Sequence, residues 1–119
     1  MRGLFITIIG AALLAAATPA AAQLAIALDT TTGKAVAFAG TTDGARNQRE
    51  AMSSCNSSSC RIVATGKKTC AAVSEALSSG GSVWAVGYGT TTSVAEQAAW
   101  HNCRAKGGVN CRAAASVCD

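Results

Sequence analysis

The chain has 119 residues, with 4% aromatic and 13% charged side chains and a net charge of +4. That length supports one domain. Its basic residues are scattered, with Lys67-Lys68 the only adjacent pair, so it lacks the basic stripe of a nucleic-acid interface and no nucleic-acid partner is expected.

Residues 1–22 read as a secretory signal peptide. Arg2 supplies a positive start, Leu4 to Ala17 an apolar run, Pro19 a break, and Ala20-Ala21-Ala22 a small-residue cleavage site before Gln23. A membrane anchor is disfavoured, because the run is short and no basic stop-transfer flank follows it. The expected product is one domain over 23–119 with no membrane span, placed in the periplasm or outside the cell. It carries nine basic and six acidic residues, a net of +3. Its interior is Ala- and Val-rich, with Phe38, Trp84, Tyr88 and Trp100 as its aromatics. So small a core needs covalent help.

The elements come in two sets. Leu24–Leu28 predicts a strand, Thr30-Thr31-Thr32-Gly33 a turn, and Ala35–Ala39 the returning strand of a hairpin. Asp43 caps a predicted helix that carries Ala51 and Cys55 one turn apart. Cys60–Ala64 predicts a closing strand. The second set repeats the order. It has a strand at Ala71–Leu77, a turn at Ser78-Ser79-Gly80-Gly81 and a strand at Val83–Gly87. A helix is capped by Ser93 with Glu96 as a capping box, and the strand Cys111–Val117 closes the set. On the helix Ala95, Ala99 and Cys103 share a stripe. At period two, Val36 and Phe38 lie on one face, as do Trp84, Val86 and Tyr88; the opposite faces are small, and each helix is expected to lie on the small face.

The cysteines support reading residues 23–70 and 71–118 as an internal repeat. Cys55 and Cys103 are 48 residues apart, as are Cys70 and Cys118, while Cys60 and Cys111 are 51 apart across a longer loop. The predicted fold is α+β: two pseudo-symmetric ββαβ units forming antiparallel sheet with two helices. Six cysteines in a short exported chain predict three disulfides. Symmetry and short loops favour Cys55–Cys60 and Cys103–Cys111. Cys70–Cys118 is then expected to join the two units across their pseudo-twofold axis. The metal alternative wants a Cys-x-x-Cys knuckle, which the chain lacks, so no metal or cofactor is expected.

The run Trp84-Ala85-Val86-Gly87-Tyr88-Gly89, then Ala95, Ala99 and Cys103, then Lys106-Gly107-Gly108, Cys111 and Val117-Cys118, resembles the DUF4189 family of small exported bacterial proteins. Ala51, Cys55, Cys60-Arg61-Ile62-Val63 and Cys70-Ala71-Ala72 extend the resemblance over nearly the whole mature chain. It implies export and fold. The family's function is undefined, so it implies no catalytic residue.

Few residues offer chemistry. His101 is the only histidine, and it lies two positions from Cys103 on the helix, where the two side chains point apart. Gly87-Tyr88-Gly89 has neither a third glycine nor a following Lys-Ser/Thr, so strand-end backbone geometry is the expected reason for its glycines. The acidic residues form no pair suited to glycoside hydrolysis. The aromatics Trp84, Tyr88 and Trp100 are the candidate interaction surface. The competing reading, that these rings fill the core, is the stronger. The expected function is a non-enzymatic module that binds another protein. An inhibitor or immunity protein against an exported hydrolase or toxin is the alternative, and an enzyme the third reading.

Overall fold

The computed structural model describes residues 23–78 and 81–119. The signal expected over 1–22 and the Ser79-Gly80 part of the second hairpin turn lie outside the described residues. The elements are β1 (Leu24–Asp29), β2 (Ala35–Phe38), α1 (Gly44–Cys55), β3 (Cys60–Gly66), β4 (Cys70–Ser78), β5 (Gly81–Gly89), α2 (Thr92–Ala105) and β6 (Arg112–Cys118). The order is therefore ββαβ followed by a similar ββαβ.

Local chemistry sets the boundaries. After β1 the carboxylate of Asp29 accepts the amides of Thr31 and Thr32, and Gly33 takes φ +80° to donate its N–H back to the Asp29 carbonyl. Asp43 caps α1, its carboxylate accepting from the amides of Ala45 and Arg46. The cap of α2 is Thr91, whose hydroxyl accepts the Val94 amide, and not Ser93. Glu96 closes no capping box; its carboxylate accepts from the Ser116 hydroxyl on β6. The Thr-rich run offers several caps, and the helix takes the one that lengthens it by a residue or two.

The strands divide into two antiparallel three-stranded sheets, ordered β2-β1-β3 and β5-β4-β6. The central strands β1 and β4 are buried on both faces over Leu24–Asp29 and over residues 70–76, mostly through apolar side chains, with Asp29, Ser74 and Glu75 buried among them. Leu24, Ile26 and Leu28 of β1 meet Ala71 and Val73 of β4 in a core shared by the two sheets, with Trp84, Val86 and Val117 packed against it. The helices cover the outer faces. α1 packs through Ala51 and Cys55 on Ala25 and Ala27, and α2 through Ala95, Ala99 and Cys103 on Ala72 and Ala85. The layers thus run helix, sheet, sheet, helix.

The expectation that each helix lies on a small-residue face holds for α2 only. α1 lies on the bulky face of its hairpin, against Val36, Phe38 and Ile62, while Ala35, Ala37 and Ala39 turn to the shared core. The similarity of the units explains the reversal. Each central strand has a register shift, at Ile26/Ala27 in β1 and at Val73/Ser74 in β4, which leaves Val63 of β3 and Ala114 of β6 as bulge residues. Aligning the shifts sets Ile26 on Val73, one residue off the 48-residue offset of the cysteines, and a one-residue slip exchanges the faces of a strand.

The disulfides are Cys55–Cys60, Cys103–Cys111 and Cys70–Cys118. The first two tie each helix end to the strand that follows. Cys70–Cys118 does not join the units. It links directly opposed residues of β4 and β6, two neighbouring strands of one sheet. The aligned register shifts place Gln23 and Lys67 at the corresponding positions of the first unit, so the two cysteines are not symmetry mates.

Candidate functional site

β5 is an edge strand, and its inner face carries Trp84, Val86 and Tyr88 toward the other sheet. Trp84 is half-buried against the shared core, so it serves the core and the surface together. Two cations flank its ring. The Arg61 guanidinium of β3 lies 5.4 Å from the ring centroid, and the Lys106 ammonium from the end of α2 lies 4.8 Å from it. The same ammonium donates to the Trp84 carbonyl oxygen at 2.9 Å. Tyr88 is 47% exposed, and its hydroxyl donates to the Thr65 carbonyl on β3. Beside the indole is an open depression of about 430 Å³ lined by Ser82, Val83, Trp84 and Lys106.

Among the described residues no carboxylate forms an ion pair with these cations. The single ion pair among the described residues is Arg112–Glu75, at 3.0 Å. Glu75 lies opposite Trp84 on β4 but is 2% exposed and turned to Arg112, and its second carboxylate oxygen has no partner among the described residues. That oxygen lies 2.5 Å from where a Cβ at Gly33 would stand, at a turn position whose φ of +80° already calls for glycine. Asp29, the other buried carboxyl, is occupied by its turn. The Thr31 amide in the first place, with the Thr32 amide, holds its pKa below the usual value.

The structure separates the three aromatics. Trp84 and Tyr88 share the seam between β5 and β3. Trp100 stands on the other side of α2, over a depression of about 400 Å³ that it lines with Glu96 of the same helix and with Cys111, Arg112 and Ala113 at the start of β6. It is 38% exposed, with Arg104 over its ring and His101 against its edge. His101 is exposed while Cys103 is buried in its disulfide, so the two form no thiol–imidazole pair. Among the described residues no group of three or more His, Cys, Asp or Glu is placed to hold a metal ion. No helix among them is long and apolar enough to cross a membrane.

The glycines beside Tyr88 serve packing rather than strand-end geometry. A Cβ at Gly87 would lie 2.2 Å from the Ala99 nitrogen, and one at Gly89 2.5 Å from the Val94 side chain. The sequence gives no sign that Arg61 and Lys106 flank Trp84. Each is an isolated basic residue far from Trp84 along the chain, and no local pattern signals their convergence.

The family model that matches this chain is that of DUF4189, a domain of unknown function, over residues 24–118. No curated protein matches the chain, and no solved structure does.

Proposed function

The chain belongs to the DUF4189 family, whose domain has no defined function, and from that premise we propose that it is an exported, non-enzymatic module that binds another protein through the seam of Trp84, Tyr88, Arg61 and Lys106. The observation that carries this reading is an indole flanked by two cations that no carboxylate of the described residues neutralises. Aromatic and arginine side chains are the usual anchors of protein interfaces, where binding desolvates them. Three disulfides suit an oxidising compartment, the periplasm or the medium, and the N-terminal signal directs the chain there.

The test compares wild type with an Arg61→Ser/Lys106→Ser variant as bait in envelope extract. Both side chains are exposed, so the variant should keep its melting temperature and lose the captured protein. Capture unchanged by the loss of both charges would refute the seam as the binding surface. A captured hydrolase or toxin would mark the module as an inhibitor. Export is checked separately by the intact mass of protein from the periplasm or medium, expected to begin at Gln23.

A further inference from the structure

The four sheet edges are not alike. β2 is only four residues long. β3 and β6 each carry a bulge, at Val63 and Ala114, that breaks their ladder register. Short strands and bulges are the usual guards of an edge against pairing with another chain. β5 has neither guard: it runs nine residues and pairs with β4 without a register shift. What covers it is two side chains of α2. The Asn102 amide donates to the Val86 carbonyl oxygen at 2.8 Å, and the Lys106 ammonium donates to that of Trp84 at 2.9 Å. Both side chains belong to exposed residues, and both occupy acceptors that an added strand would use, two residues apart along the edge.

We infer that β5 is a strand-addition site for an extended acidic segment of a partner protein; this rests on the seam being the binding surface. In this mode the partner's backbone N–H groups replace Asn102 and Lys106 on the Val86 and Trp84 carbonyls, and main-chain bonds supply affinity while side-chain contacts supply specificity. Lys106, once displaced, remains beside Arg61 and Trp84, and the pair of cations selects carboxylates on the incoming segment. Charge argues against a second copy of this chain as the occupant. Two β5 edges would bring Arg61 and Lys106 of one molecule toward the same cations of the other.

The probe is a nine-residue peptide, the length of β5, alternating glutamate with valine. Its controls are the same peptide with lysine for glutamate and an N-methylated form that lacks the donating N–H groups. Amide NMR titration of the full mature protein should place the acidic peptide's shifts along Ser82 to Tyr88, and each control should bind about 10-fold or more weakly. Asn102→Ala uncovers the Val86 carbonyl and should bind the acidic peptide tighter, by about 3-fold, with the fold verified by its melting temperature. Equal binding of the N-methylated peptide would overturn strand addition while leaving the seam as the binding surface. Shifts centred on Trp100, equal binding of the lysine peptide, no binding of the acidic peptide, or weaker binding by a folded Asn102→Ala protein would each overturn the inference.

Discussion

At position 87 a single methyl group decides how closely α2 can lie on its sheet. A Cβ there would stand 2.2 Å from the Ala99 nitrogen and 2.5 Å from the Ala95 oxygen, both backbone atoms that move only with the helix. Gly87→Ala should therefore cost about 3 kcal/mol, the upper range for overpacking. Gly40→Ala, whose new atom meets only the Phe38 ring at 4.0 Å, should be nearly neutral. Urea unfolding of the two variants checks this, and equal midpoints would mean that α2 tolerates displacement. Asp29 sets a second residue-scale expectation. Its pKa is lowered below the ordinary 3.8 by the Thr31 and Thr32 amides. Its stabilising effect is therefore fully present above pH 3.8 and is lost as pH falls below that, through the depressed folded value. Asp29→Asn should flatten melting temperature against pH in that acid range and leave the profile above it parallel to wild type. Retention of the full wild-type acid slope would assign it to other carboxyls.

Between elements, the three disulfides do unequal work. Cys55–Cys60 and Cys103–Cys111 close separations of 5 and 8 residues, whereas Cys70–Cys118 closes 48. On chain entropy the short bridges are worth about 2 kcal/mol each and the long one about 4. It fastens the last strand, β6, to the central strand of its sheet, and among the described residues no other strand pairs with β6. Cys70→Ser/Cys118→Ser should thus lower the guanidinium midpoint about twice as far as Cys55→Ser/Cys60→Ser. Equal losses would show that native packing, and not the constrained unfolded chain, governs the bridges. The ranking follows from the separations alone, so it stands although the long bridge lies within one sheet and not between the units.

For the whole molecule, the decisive contact is sheet on sheet. Each three-stranded unit has its helix on one face and relies on the other unit to cover the opposite face. Without the second unit, Leu24, Ile26 and Leu28 would meet water, at about 2 kcal/mol for each exposed side chain. A fragment of residues 23–69 should therefore give a collapsed, undispersed NMR spectrum even with Cys55–Cys60 formed. The full mature chain should unfold in one calorimetric transition. A dispersed spectrum from the fragment would mean that one unit folds unaided.

The sequence by itself determined the order ββαβ twice, through apolar runs bounded by Thr, Ser and Gly, through Asp43 as a cap, and through the Ala stripes that end in Cys55 and Cys103. These signals are local: a turn, a cap or a helical stripe is read from residues a few places apart. The loop lengths likewise made the two short disulfides legible. Only the tertiary structure decided which face of each strand is inward. Alternation shows that a strand has two faces, but β1 and β4 carry buried apolar residues on both, so pattern alone does not say which meets the helix and which the other sheet. That choice put Phe38 under α1 and Trp84 between the sheets. It also brought Arg61 and Lys106 to one ring from two distant elements. The candidate site depends on that convergence, because a contact between β3, β5 and the end of α2 exists only once the sheets are stacked.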